Sequence, residues 1–483
     1  MPEMKKLLSL FILSLMLLMS GCSQHTDCNT ISEDIESQFN AGNFEALPAL
    51  TDSLRKCCPE EQDLTGKADS LVEISHRVSL DFSLTRQQVI ERLGSYKIDT
   101  NAELTGVWEK ENWLECLVIN GEKRYFNRTA SNLRLLNLFH DEKEKRDEMI
   151  SNDPDMIFRK NHVSGVIGNS SQGSQPVMPV DVVITCSLTV NPDAVPEGET
   201  IRCWLPFPKE SNIRQKEVKL ISASAENYII APDSTVHRTI YMEGKSRKGE
   251  AAIFRVSFSF RSYARYFDPS EIKAMPYNKN SVLYKKYTTE QLPQICFTEN
   301  VKRAADSITS QNDPPAEIVR KIYMWFKENI PWTGALEYSI MPNIPEYVIR
   351  NRRGDCGMQT LLFMSMLRYK GIPVRWQSGW MVPPGAENLH DWCEVYFEGT
   401  GWVPCDISYD LQPSENTQIR EFYLSGIDSY RMIVNDGIAG SLFPSKTFMR
   451  SEPYDFQRGE VEWSGGNLYF DKWDYDIEIK YQK

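Results

Sequence analysis

Residues Asn351 to Trp380 read N-R-R-G-D-C-G-M-Q-T-L-L-F-M-S-M-L-R-Y-K-G-I-P-V-R-W-Q-S-G-W. Cys356 stands between a Gly-Asp turn and a run of helix formers that ends at Gly371, with Pro373 just beyond, so the spacing predicts a helix beginning at the cysteine. At that end, unpaired backbone N–H groups and the positive pole of the helix dipole favour thiolate over thiol, and the thiolate is the nucleophile. Asp355 opposes this as a neighbouring negative charge unless its side chain caps the helix. Downstream lie a base, His390, and a carboxylate to orient it, Asp406. Together these residues are the material of a Cys-His-Asp triad.

From Asn388 the chain reads N-L-H-D-W-C-E-V-Y-F-E-G-T-G-W-V-P-C-D-I-S-Y. The alternation through Trp392, Glu394 and Tyr396, and again around Trp402 and Pro404, predicts two antiparallel strands joined at Glu398-Gly399-Thr400-Gly401. His390 enters the first strand and Asp406 leaves the second, so a hairpin brings them to the same end. His390 is the only histidine after His237, and His237, on a strand without a recognisable partner, is read as structural. Cys393 and Cys405 are read as inert buried thiols or a cross-strand disulfide. Trp376, Trp380, Trp392 and Trp402 are expected near the site, some packing the core and one or two walling a groove.

Gly354-Asp355-Cys356-Gly357, the helix after it, Gly371-Ile372-Pro373-Val374-Arg375, His390 with Trp392-Glu394-Val395, and Gly401-Trp402-Val403-Pro404 before Asp406 together resemble the transglutaminase-like superfamily, papain-like in its chemistry. The resemblance covers residues 297–450. It implies Cys356 as nucleophile, His390 as general base and acid, and Asp406 as the residue holding the imidazole. It also implies Trp332 as an upstream aromatic oxyanion donor beside the Cys356 backbone N–H. The implied reaction is attack of thiolate on a carboxamide or peptide carbonyl to give a thioester, resolved by water or by an amine. Hydrolysis is expected over cross-linking, since water is the default acceptor and no residue marks an amine site. The alternative is a noncatalytic envelope binding or scaffold protein with a degenerate core. No cofactor is expected, and no metal: the sequence has no CxxC pair or His/Cys cluster of zinc spacing, and no Asp/Glu loop of the EF-hand kind.

A chain of 483 residues is too long for one core and should divide into about three or four domains. Its 41% hydrophobic and 25% charged content is that of a globular protein, and a net charge of -12 argues against a nucleic-acid partner. Lys5 and Lys6, the apolar run Leu7 to Leu18, and Met19-Ser20-Gly21-Cys22 resemble a bacterial lipoprotein signal, residues 1–22, with Cys22 lipidated. The run is shorter than the roughly 20 residues of a spanning helix. The expected location is therefore the bacterial cell envelope, periplasmic or surface-facing, with the membrane reached through the Cys22 lipid and a protein or peptide as substrate. Disulfides are permitted there.

The expected fold is multidomain α+β. Residues 23–80 read as a helical spacer, minimally one hairpin. Residues 81–165 read as a small α/β domain with a capped helix from Thr85 to Gly94 and a hairpin turning at Asn120-Gly121, followed by a solvated charge run, Asp141 to Glu148. A linker at Asn169 to Gln175 leads to an immunoglobulin-like β-sandwich at 178–265, whose segment Pro196 to Pro206 resembles the β-domain that often precedes a transglutaminase core. The catalytic core at 297–450 opens with helices near 300–308 and 315–329. Residues 451–483 read as a C-terminal β segment.

Overall fold

The computed structural model describes residues 27–170, 175–273, 275–409 and 411–482. The expected signal peptide with Cys22, and residues 171–174 of the expected linker, lie outside the described residues. Two compact units divide the chain, Met1–Ala130 and Ser131–Lys483. Among the described residues, no helix is long and apolar enough to cross a membrane.

In the expected spacer, read minimally as one helical hairpin, the structure has three helices, Cys28–Asn40, Leu47–Cys57 and Gln62–Asp81. A 3-10 turn at Phe44–Ala46 and Pro48 at the start of the next helix divide the first two. Ile31, Ile35, Leu47, Leu54 and Ala68 form the shared apolar core, and a Cys28–Cys58 disulfide closes it. Thr85 and Gln88 make a reciprocal capping box that opens the helix Arg86–Ser95. Strands Cys116–Ile119 and Glu122–Tyr125 pair across Asn120-Gly121, both at positive φ, as the twist of a two-residue hairpin requires.

The small domain expected over 81–165 does not coincide with a compact unit, which ends at Ala130. The helix Pro154–Asn169 instead buries Val163 and Val166 against Ala264, Tyr266, Tyr409, Phe422 and Tyr423 of the larger unit. The charged helix before it, Lys143–Asn152, buries nothing.

In the larger unit two five-stranded sheets face each other. One runs in the order Gly426–Ile427, Ala252–Tyr266, Val177–Val190 and Trp473–Gln482, with Gln215–Ala223 also paired to Ala252–Tyr266. The other runs Gly466–Leu468, Glu460–Trp463, Thr200–Pro206, Thr239–Lys245 and Tyr228–Ile230. The C-terminal β segment 451–483 supplies strands to both of these sheets. Its last strand lies along Val177–Val190 over ten residue pairs, removing an exposed edge, while Trp473, Ile477, Ile479 and Tyr481 alternate onto the sandwich core.

Beside the sandwich lies a four-stranded antiparallel sheet ordered Gly401–Cys405, Asn388–Phe397, Val374–Met381 and Arg431–Asn435. The helix Cys356–Tyr369 packs on one face against Trp376, Cys393, Val395, Phe397, Val403 and Cys405. Every residue from Gly357 to Arg368 is buried, so this helix has no solvent face. Leu361, Leu362, Phe363 and Leu367 are fully buried, each worth about 1.5–3 kcal/mol. The helix ends where Gly371, at φ +74, turns the chain into the strand at Val374. Trp380, Val382, Met432 and Val434 reach into the sandwich core, so core sheet and sandwich share one buried interior.

The disulfide generates a test. Its 30-residue separation corresponds to about 3–4 kcal/mol of loop-closure entropy. Replacing Cys28 and Cys58 together by Ser is expected to lower the hydrogen-exchange protection of helices 28–40 and 47–57 by that amount, leaving the helix 356–369 unchanged. Unaltered protection of the first two helices would contradict this.

Candidate active site

The site is built on two consecutive residues of the strand Asn388–Phe397. Successive side chains of a strand face opposite ways, and the contacts follow: His390 and Trp392 lie together on one face, whereas Asp391 points to the start of the helix Cys356–Tyr369.

On the first face, His390 Nε2 lies 2.7 Å from Asp406 Oδ2. The hairpin register, Cys393 opposite Cys405, puts Asp406 across from Trp392 and so on the His390 face. Asp406 Oδ2 also accepts from Arg431 at 2.8 Å, and its Oδ1 accepts from the Ser408 backbone N–H and hydroxyl at 3.2 and 3.0 Å. Arg431 donates as well to Asp428, from two nitrogens at 3.0 and 2.9 Å. Burial would raise the Asp406 carboxyl, but the His390 and Arg431 charges outweigh it and hold it below the usual carboxylate range. Burial would also raise Asp428, but its hydrogen-bonded Arg431 and the nearby His162 pull it down to about 2. Burial lowers the His390 imidazole, with Asp406 acting against it. At neutral pH His390 is thus a free base; with Nε2–H donated to Asp406, its lone pair sits on Nδ1. Tyr409 meets the imidazole edge-on at 4.9 Å and carries Arg159 over its ring at 4.0 Å.

On the second face, Cys356 is the first residue of its helix. Asp355 is the N-cap, its Oδ1 accepting from the Met358 N–H at 3.0 Å. The same oxygen accepts from the Tyr338 hydroxyl at 2.5 Å. Cys356 Sγ donates to Asp391 Oδ2 at 3.4 Å. Gly357 makes this packing feasible, since a Cβ there would come within 2.2 Å of the Tyr338 hydroxyl and 2.6 Å of Asp391 Oδ2. Asp391 Oδ1 accepts from Gln457 at 2.8 Å, and its carboxyl also hydrogen-bonds that of Asp455.

The expectation that the helix start yields a thiolate is corrected here. Burial, then the Asp391 and Asp355 charges, push the Cys356 thiol well above its ordinary value. The N-cap bond of Asp355 does not cancel its charge. At rest the pair is a thiol and a neutral imidazole, and the thiol's hydrogen bond goes to the residue next to His390.

Trp332 is tied to the nucleophile turn by a parallel bridge to Gly354, and its side chain is 46% exposed. Trp376, Trp380 and Trp392 are buried in the interior, and Trp402 stacks under Arg375 at 4.3 Å. Cys393 and Cys405 are free thiols in cross-strand register. His237 is buried, its Nδ1 against Asn435 Oδ1 at 2.7 Å and its Nε2 accepting from the Gly440 N–H at 3.0 Å. Among the described residues no group of three or more His, Cys, Asp or Glu is placed to hold a metal ion.

Sequence reasoning missed Arg431, Tyr338, Asp391, Asp455 and Gln457. Only Asp391 carried a signal: on a strand, the neighbour of a base must face the opposite side, here the nucleophile helix.

The family described as the transglutaminase-like superfamily matches residues 302–407, which span Trp332, Cys356, His390 and Asp406. A Bacillus subtilis (strain 168) protein carrying the name "Uncharacterized protein YebA" is 26% identical over 156 residues, 28% of this chain. The chain covers 20% of that relative's length. Among solved structures, a candidate cysteine protease from Cytophaga hutchinsonii is similar over 64% of this chain and 92% of its own, at 13% identity and a TM-score of 0.44. The periplasmic domain of TgpA from Pseudomonas aeruginosa is similar over 53% and 94%, at 15% identity and a TM-score of 0.25.

Arg431 is fully buried between two carboxylates, so Arg431→Met is expected to cost roughly 3–5 kcal/mol. The depressed folded-state value of Asp406 contributes stability that is complete above the unfolded carboxylate pKa and lost as pH falls through the folded one. Without the guanidinium that window moves up. Acid unfolding followed by tryptophan fluorescence should then begin at higher pH in Arg431→Met, and an unchanged acid midpoint would show that Arg431 does not hold Asp406.

Proposed function

Residues 302–407 being a transglutaminase-like domain, we propose that this protein is a cysteine enzyme that acts on protein or peptide amide bonds through a thioester at Cys356, with hydrolysis favoured over cross-linking. The observation that carries this reading is the His390–Asp406 hydrogen bond of 2.7 Å, formed beside the residue that Cys356 contacts. Such chemistry needs a nucleophile within hydrogen-bond reach of its base and a carboxylate fixing that base; buried Asp406 supplies the second, while at rest Cys356 bonds to the neighbour of His390 and not to His390 itself.

In the proposed reaction the Cys356 side chain first leaves Asp391 for the imidazole, and Sγ gives its proton to His390 Nδ1 as it attacks the amide carbonyl carbon. The carbonyl oxygen becomes an oxyanion, met by the Cys356 backbone N–H, one of the first N–H groups of its helix, and by the Trp332 indole N–H. Collapse of the oxyanion expels ammonia or an amine, which takes the proton back from His390, leaving the thioester. Water, deprotonated by His390, then releases the acid and the thiol. Asp406, held by Arg431, keeps the imidazole oriented and stabilises the imidazolium that forms.

Export and lipid attachment at Cys22 belong to the same proposal. They rest on the sequence of residues 5–22, and the Cys28–Cys58 disulfide accords with an oxidising compartment. One observation favours the second reading, a noncatalytic envelope scaffold: Cys356 Sγ hydrogen-bonds Asp391 and not His390, where burial and neighbouring carboxyls raise the thiol.

The test is ammonia release and peptide cleavage on glutamine-containing peptides and casein, with and without a fluorescent primary amine. Activity is expected to fall by about a thousandfold or more in Cys356→Ala and by at least about a hundredfold in His390→Ala, with the acid product exceeding the amine adduct. Absence of turnover, together with iodoacetamide labelling of Cys356 that ignores His390→Ala, would establish the scaffold reading.

A further inference from the structure

The nucleophile's hydrogen bond goes to a residue outside the proposed triad. Asp391 is 2% exposed and wedged between the helix start and the C-terminal segment. Its Oδ2 accepts from Cys356 Sγ at 3.4 Å and its Oδ1 from Gln457 Nε2 at 2.8 Å. Gln457 is fixed in turn, its Nε2 also donating to the His390 carbonyl at 3.0 Å while its own carbonyl accepts from the Trp380 indole at 2.9 Å. A carboxyl held from both sides in this way has little freedom to leave the thiol.

We propose that Asp391 is a positioning residue for Cys356: it accepts the thiol's hydrogen bond, keeps Sγ protonated and turned from His390 at rest, and must be exchanged for the imidazole before attack. The proposal rests on the reading of Cys356 as nucleophile and His390 as its base.

The groups around Asp391 give the device its charge. From the nucleophile helix come Cys356 and the N-cap Asp355; from the 3-10 turn at Tyr338–Ile340 comes the Tyr338 hydroxyl, bonded to Asp355. From the C-terminal segment comes Asp455, 5% exposed, with Glu452, Arg450 and Arg458 about it. Burial raises both members of the Asp391–Asp455 pair, Asp455 to about 7, so near neutral pH the two carboxyls share one proton and carry one negative charge. The hydrogen bond between them raises Asp391 and lowers Asp455, so the shared proton belongs to Asp391 and the charge to Asp455. A thiolate formed 3.4 Å from this carboxyl pair and beside the Asp355 charge is disfavoured, so the thiol persists. Gly357 is the local requirement, because any side chain there would occupy the space of Asp391 Oδ2.

Two isosteric substitutions separate this role from a merely structural one. Asp391→Asn removes the carboxyl that accepts the thiol's hydrogen bond and should release the thiolate, whereas Asp455→Asn removes the partner that keeps the proton on Asp391 and so leaves a charged Asp391 beside the sulfur. The readout is the pH profile of iodoacetamide alkylation at Cys356, located by peptide mass on the otherwise intact protein. In this reaction the sulfur–carbon bond forms, the carbon–iodine bond breaks, iodide leaves and the thiol proton passes to solvent. Asp391→Asn is expected to lower the alkylation pKa by about one unit or more and to speed labelling at pH 7 roughly tenfold. Asp455→Asn is expected to slow it. An Asp391→Asn profile that stays in place or moves up, or an Asp455→Asn profile that moves down, overturns the proposal. If Asp391→Asn does not fold, the direction of the Asp455→Asn shift decides alone. His390→Ala in the same assay keeps the two claims apart: slower labelling there with no Asp391 effect sinks the positioning role and leaves the nucleophile–base reading, and the reverse pattern does the opposite.

Discussion

Two neighbouring side chains on one strand must point to opposite faces of the sheet, and the site depends on that constraint. His390 is committed to the face that holds Asp406 and Arg431, and Asp391 to the face that holds the start of the nucleophile helix. A register slip of one residue would exchange them, putting the base into the helix and an aspartate against the Asp406–Asp428–Arg431 cluster. The register is fixed by the Asn388–Phe397 pairing on both sides, and by Trp376, Cys393, Val395 and Phe397, which bury on the helix side.

The buried charges on both faces persist only because each is compensated. Arg431, without solvent exposure, is matched by Asp406 and Asp428, and Asp406 in turn by His390 and Ser408. On the helix face the compensation comes from the far end of the chain. Gln457, Asp455 and Arg458 lie in the segment that leads into the strand Glu460–Trp463, and Arg458 spans Glu452 and Glu337 at 2.6 and 2.7 Å. The sandwich therefore does more than precede the core: the segment leading into its returning strand carries residues that surround Asp391. This explains why Trp380, Val382, Met432 and Val434 are shared between the core sheet and the sandwich interior.

Local signals were legible in the sequence. Gly354-Asp355-Cys356 followed by an apolar run and Gly371 marked a helix start and stop, and the alternation from His390 to Asp406 marked the hairpin that joins them at 2.7 Å. What sequence could not supply was long-range pairing. Nothing in Trp473 to Gln482 says that it lies along Val177–Val190, and nothing near Arg431 says that it meets Asp406. The dipole argument for a Cys356 thiolate was incomplete for the same reason. It weighed the helix end and the adjoining Asp355 but not burial or Asp391, which lies 35 positions away in sequence. The bound of the small domain at 165 cuts through the helix Pro154–Asn169, whose apolar positions do not name the surface they cover.

The most direct test of Cys356 as the reacting atom is acid-quenched mass spectrometry of the protein exposed to p-nitrophenyl acetate. The expected result is an acyl group on the peptide containing Cys356, labile to hydroxylamine as a thioester, absent in Cys356→Ala and slower to turn over in His390→Ala. An acyl group found only on surface lysines, or equally abundant in Cys356→Ala, would contradict the account.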